Sequence, residues 1–206
     1  MKILLVTHKY PPYSLGGVEV YTRHLARTLR DEHQVALFFR HDSPAAGDPP
    51  LVGHDGEVDG VRQRRVAINP AGLRASVAGE FVSTFLNRDV EASFSRLLAQ
   101  FRPDLVHFQH VMALSARLLP LARAWGVPTL LTLHDYWFLC SNAQLIWPDG
   151  QTCRGKAWGM NCVRCAAAAR FPPALTALLR PALAPLFAYR DRVVRAAALS
   201  ASRFVS

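Results

Sequence analysis

Lys2-Ile3-Leu4-Leu5-Val6-Thr7, the loop His8 to Gly17, and Val18-Glu19-Val20-Tyr21-Thr22-Arg23-His24-Leu25-Ala26-Arg27-Thr28-Leu29 form the stretch on which the fold class turns. The first run is continuously apolar, as a strand covered on both faces must be. Gly16 and Gly17 then introduce a segment in which Val18, Tyr21, Leu25 and Leu29 recur at i, i+3, i+7 and i+11, one stripe of an amphipathic helix closed near Asp31. The same alternation continues downstream. Gln34 to Arg40 reads as a second strand and Val61 to Ile68 as a weaker one, with 41 to 60 between them read as loop because Pro44, Gly47, Pro49, Pro50, Gly53, Gly56 and Gly60 leave no period. Phe81, Phe85, Phe94, Leu97, Leu98 and Phe101 follow at helical spacing as one helix that Arg102-Pro103-Asp104 ends. Leu105 to Phe108 is a strand, about 113 to 125 a helix, and Thr129 to Leu133 a strand.

Parallel strands need a crossover helix between them, so this order predicts an α/β class: a Rossmann-like, doubly wound parallel sheet with helices on both faces. One domain over residues 1–206 is expected, interrupted by a cysteine-containing insertion at 134–170, after which 174–197 returns to a helical composition broken by Pro181 and Pro185.

The 24 Lys and Arg against 15 Asp and Glu give a formal net charge of +9, a surface that attracts phosphates or anionic lipid. Nucleic acid is disfavoured, since no basic run, aromatic-interleaved basic strand or finger-type Cys/His spacing is present. The opening apolar run ends at Thr7-His8-Lys9, short of a signal peptide, and no window reaches the ~18 apolar residues of a spanning helix. A cytoplasmic location is therefore expected.

In a doubly wound sheet, ligands bind beyond the carboxyl ends of the strands, which singles out Gly16 and Gly17, His107 with His110, and His134 with Asp135. The glycines open a helix whose unpaired N–H groups suit a phosphate or sugar oxygen; a simple turn is the equal alternative. They lack the Gly-x-Gly-x-x-Gly pattern, which disfavours NAD. His134 places an imidazole titrating near neutrality at the presumed cleft, able to donate to a sugar hydroxyl, or else bonded to a loop carbonyl. His107 and His110 are more readily read as satisfied strand-end histidines.

The run Lys2-Ile-Leu-Leu-Val-Thr-His8, Pro11-Pro12, Gly16-Gly17-Val-Glu19, Leu25-Ala26-x-x-Leu29 and His33-Gln-Val35 resembles the opening of the retaining family 4 glycosyltransferases of the GT-B fold. Pro103-Asp104-Leu-Val-His107, Val127-Pro128, His134-Asp135 and Ser202-Arg203-Phe204-Val205 continue the resemblance in order. It implies transfer of a sugar, of hexosyl type, from a nucleotide-sugar co-substrate to a sugar or lipid-linked acceptor with retention and no metal at the catalytic centre. It further implies that Gly16 and Gly17 face the donor phosphates and the acceptor, and that His134 sits beside the transferred sugar. Glu19 matches the family's acid after the glycines, and equally suits a first-turn acid favoured by the helix dipole. Members carry a second Rossmann-like domain supplying two glutamates with seven residues between them; here the five Glu, at 19, 32, 57, 80 and 91, include no such pair. The expectation is thus an N-terminal, acceptor-side domain, inactive alone, either truncated or completed by a separate donor-binding chain. A non-catalytic glycan- or partner-binding module is the alternative. The basic, apolar segment Arg170 to Arg195 could rest on an anionic membrane, although a helix packed on the sheet is the simpler reading.

Cys140, Cys153, Cys162 and Cys165 are the four cysteines of the chain and fall within a 26-residue window. In a reducing compartment such clustering favours a metal over a disulfide framework, and Cys162-x-x-Cys165 has knuckle spacing, so a structural zinc is expected there. The 12- and 8-residue gaps before it match no standard finger, and free thiols or a redox pair stay open.

Overall fold

The computed structural model describes residues 1–42, 51–68, 77–167 and 171–205. Pro44, Gly47, Pro49 and Pro50, on which part of the loop expectation rests, lie outside them. The elements run β1 (Lys2–Val6), α1 (Gly17–Leu29), β2 (Gln34–Asp42), β3 (Leu51–Val58), β4 (Val61–Ile68), α2 (Val77–Ser83), α3 (Arg88–Phe101), β5 (Leu105–Phe108), α4 (Leu118–Ala124), β6 (Thr129–Thr132), α5 (Met160–Ala167), α6 (Pro173–Leu199) and β7 (Arg203–Val205). The chain divides into two compact units, Met1–His134 with Ala197–Ser206, and Asp135–Ala196.

The first unit holds a seven-stranded sheet in the order β3-β4-β2-β1-β5-β6-β7. All pairings are parallel except β3 with β4. This is the expected doubly wound α/β arrangement, and order reverses around β1, which lies between β2 and β5. Pairing Val6 with Phe108 aligns the carboxyl ends of β1 and β5 at one edge, while β2, paired to Val6 at Phe38, runs on to Asp42. Alternation sends Ile3 and Leu5 to one face, where they pack with Ala26 of α1, Val35, Leu37 and Phe39. Phe38 and Phe108 meet Phe94 of α3 on the other, at ring distances of 5.3 and 6.2 Å.

Five expectations are corrected. Residues 51–58 are a strand: Asp59 and Gly60, at φ 52° and 70°, make the two-residue turn that folds β3 back on β4. The helix expected from Phe81 to Phe101 is two, because the Asn87 side chain accepts from the Asp89 and Val90 N–H groups and starts α3 anew. The helix expected from about 113 begins at Leu118, after Ala113 in the left-handed region at φ 55°. The prolines at 181 and 185 do not break α6. They are four residues apart on one exposed side, where water can serve the carbonyls left without an N–H partner. In α1 the buried positions are Glu19, Thr22 and Ala26, with Val18, Leu25 and Leu29 half-buried and Tyr21 exposed, so the core-facing stripe is rotated from the one expected.

The second unit takes in the expected insertion and extends to Ala196. Part of what sequence left as structureless there is α5, preceded by one tight helical turn at Ala157–Gly159. Arg190, 3% exposed, ties the unit together: its guanidinium donates to the Trp137 carbonyl at 2.6 Å and lies over the Trp137 ring. Among the described residues no helix is long and apolar enough to cross a membrane.

Candidate functional site

At the carboxyl edge of the sheet the backbone ladder runs past the strands. Thr7 N–H donates to Phe38 O at 3.1 Å and Gln109 N–H to Val6 O at 2.7 Å. These bonds fix the first residues beyond β1 and β5, and with them the side chains of His8, Gln109 and His110.

Around the start of α1 they assemble a polar cluster. Gly16 is the extended residue before the helix, and the Glu19 carboxylate folds back over it: a Cβ on Gly16 would lie 2.6 Å from Glu19 Oε2, so a larger residue there must displace the acid. Glu19, 5% exposed, accepts from Ser14 Oγ at 3.0 Å and stands 3.4 Å from His8 Nε2. The acid thus already occupies the positive end of the helix dipole, where the sequence reading placed a phosphate. A Cβ on Gly17 would meet nothing within 4 Å, which leaves its backbone approachable.

The His8 ring lies against that of His110, with centroids 4.7 Å apart. Burial lowers the His8 pKa to about 4, with the adjacent His110 acting the same way and Glu19 opposing. At neutral pH His8 is therefore uncharged, and its 3.4 Å approach to Glu19 is a polar contact rather than an ion pair. His110 Nδ1 accepts from Met112 N–H at 3.2 Å. Arg40, whose guanidinium donates to Ala113 O at 3.0 Å, adds a fixed positive charge near His8.

His134 follows β6 and is half-buried. Its Nε2 lies 2.9 Å from Gln109 Oε1 and its ring meets the edge of Tyr21 at 5.0 Å. With the Gln109 amide oriented this way, Nε2 donates, so in the neutral ring Nδ1 is an acceptor. Donation to a sugar hydroxyl, the expected role of His134, would then fall to Nδ1 and requires the imidazolium or a turned amide. Gln109 is fully buried and its Nε2 has no hydrogen-bond partner among the described residues.

Of the residues chosen from sequence, Gly16, Gly17, Glu19 and His134 border this edge. His107 lies within β5, where its Nε2 is 2.7 Å from Thr132 Oγ1 and burial, then His134, lowers its pKa to about 4. The Asp135 carboxylate accepts from the Trp137 N–H at 2.8 Å, a turn-forming role. Cys140, Cys153, Cys162 and Cys165 are all free thiols, and among the described residues no three or more His, Cys, Asp or Glu are placed to hold a metal as they lie. Sequence reasoning passed over His8, Gln109 and Arg40; His8, directly after β1, satisfied the strand-end rule that selected His134. Grooves lined by Arg102, Trp125 and Pro128, and by Lys2, Arg30 and His33, lie at the amino edge, opposite to where such sheets bind ligands.

The family profile described as glycosyl transferase 4-like domain matches residues 16–197. An uncharacterized 42.6 kDa protein in the cps region of Klebsiella pneumoniae is 22% identical over 155 residues, which are 70% of this chain and 39% of that protein. An alpha,alpha-trehalose-phosphate synthase (UDP-forming) from Burkholderia xenovorans, solved with glucose-6-phosphate, is 14% identical over 69% of this chain and 35% of its own, with a TM-score of 0.45. The catalytic domain of starch synthase IV from Arabidopsis thaliana, bound to ADP and acarbose, is 17% identical over 66% and 34%, with a TM-score of 0.42. The chain spans about a third of the length of these two solved proteins.

Proposed function

The chain belongs to the glycosyl transferase 4-like domain family, and on that footing we propose that it is the acceptor-binding half of a retaining, nucleotide-sugar-dependent glycosyltransferase, one part of a GT-B architecture. The observation that carries the reading is the convergence of Glu19, His8, His110, Gln109 and His134 on the carboxyl edge of β1, β5 and β6, beside the start of α1. Such a cluster offers carboxylate and imidazole acceptors, and donors from backbone and amide, matched to the hydroxyls of a sugar. Donor nucleotide and transferred sugar are held by a part beyond these 206 residues. When that part closes on the cleft, Gly17 presents bare backbone N–H to the sugar or phosphate oxygens. Glu19 and His8 orient the acceptor, and His134 contacts the transferred sugar. Positioning both reactants and aiming polar groups at developing charge are the sources of rate that this geometry supports.

A lipid-linked acceptor also suits the outer face of α6, where Leu175, Leu178, Pro181 and Pro185 are exposed and Arg180 stands half-buried. This arrangement favours peripheral seating on an anionic membrane. Titration of the imidazole signals by NMR tests the reading: sugar or lipid-linked acceptors shift His8, His110 and His134, and nucleotide sugars alone do not. Strong shifts from nucleotide sugars, with none from any acceptor, overturn it.

A further inference from the structure

We propose that Cys140, Cys153, Cys162 and Cys165 together bind one structural zinc ion through their four sulfurs. The inference concerns the Asp135–Ala196 unit and stands apart from the sugar-transfer reading.

The fold draws these cysteines toward one another although they are far apart in sequence. Cys140 Sγ donates to Asn142 Oδ1 at 2.6 Å, and Asn142 Nδ2 donates to Cys165 Sγ at 3.3 Å, so two of the thiols flank a single amide. The same Nδ2 donates to Ile146 O at 3.0 Å. From there the chain makes a small hairpin closed by the Ile146–Thr152 bridge, and Cys153 N–H bonds back to Leu145 O at 2.7 Å. That return sets Cys153 beside the Asn142 turn. Cys162 and Cys165 are three apart in α5 and share a face. Cys140 and Cys153 both lie within electrostatic range of Cys162 and of Cys165.

The surroundings suit the charge of the bound state. Four thiolates about Zn²⁺ leave two net negative charges. Lys156 and Arg190 both lie near Cys140 and Cys162. Lys156 also pairs with Asp191, and Arg190 with the Trp137 carbonyl. Beside a tetrathiolate zinc the two cations would be compensating charges.

As they lie, the thiols do not enclose an ion, and the metal itself would supply the closure, as it does in small domains whose binding energy is folding energy. The segment has reason to need it. Ala143, Leu145, Ala157 and Trp158 all adopt positive φ, at 65°, 56°, 45° and 55°, and none is glycine. Each binding event releases protons from thiols: four S–H bonds ionise as four Zn–S bonds form near ~2.3 Å, with no oxidation or reduction.

The test uses the whole 206-residue chain, expressed with zinc supplementation and purified without chelator. Metal analysis should find about one zinc per chain, with the thiols slow to react until a chelator or mercurial releases the ion. Cys140→Ser and Cys165→Ser should each lower the zinc content to about a fifth or less. Because such variants can fail to fold, cobalt is substituted into the parent chain, where tetrahedral tetrathiolate coordination gives intense sulfur-to-cobalt charge-transfer bands. Less than about half an equivalent of zinc, or a weak octahedral cobalt spectrum, overturns the proposal. Four thiols that titrate freely in the native chain, or a disulfide between any two, do so equally.

Discussion

Lowering the pH from 7 to 5 should cost this protein a large part of its stability, through two histidines that the fold keeps neutral. His8 and His107 have folded-state pKa values of about 4, in both cases chiefly through burial, against roughly 6.5 in an unfolded chain. Between those values the unfolded chain takes up protons that the native state refuses. Their stabilising effect is therefore complete above about pH 6.5 and is lost as pH falls toward 4. For one such group the linkage integral from pH 7 to pH 5 is about 2 kcal/mol, so the pair accounts for about 4 kcal/mol, against a usual total of ~5–15. His107 is the cleaner of the two to alter, since among the described residues its ring makes one hydrogen bond, 2.7 Å to Thr132 Oγ1, which a glutamine amide can replace. His107→Gln should lose about 2 kcal/mol less than the parent over this interval, whatever its stability at pH 7. Urea unfolding at pH 7 and pH 5, with matching slopes to confirm comparable transitions, measures both quantities. A variant whose loss equals that of the parent would refute the assignment of His107 as a buried neutral imidazole.

Three further outcomes follow from particular contacts. Gly159→Ala adds a Cβ 2.3 Å from the Ala184 carbonyl oxygen at a residue with φ 91°, and should destabilise by roughly 2–4 kcal/mol in urea unfolding; an unchanged midpoint contradicts the packing of that turn against α6. Asn87→Ala removes the cap of α3 and should cost about 1 kcal/mol, with Asn87→Asp recovering most of it, as read by thermal melting. In an enzyme complete with its donor-binding part, His134→Ala should lower turnover by about 10²-fold or more; an equal rate returns His134 to a purely structural role.

How much of this was legible before any coordinates depended on how local the deciding forces were. The strands β1, β2, β5 and β6 declare themselves, because burial on both faces keeps their interiors apolar, His107 of β5 excepted. β3 did not: as an edge strand it carries His54, Asp55 and Glu57, exposed in the fold, and its marker was the Asp59-Gly60 turn rather than any apolar period. Asn87 similarly gave its signal in a side-chain cap, which outweighed the phenylalanine spacing that runs across it. Pro181 and Pro185 misled because their cost depends on which side of a helix they occupy, and sequence does not state that. At the site, strand-end position found His134 and the glycines, and the same rule applied after β1 would have found His8. The neutrality of His8 and His107 was beyond reach, since it arises from burial by residues distant in the chain.

Sugar transfer by the 206-residue chain, alone and mixed with a separately produced donor-binding part, bears most directly on the central claim. With a panel of nucleotide sugars and acceptors, the chain alone should give no product above the uncatalysed background, and the mixture should give product that retains the anomeric configuration. Turnover by the isolated chain, or product of inverted configuration from the mixture, would contradict the account.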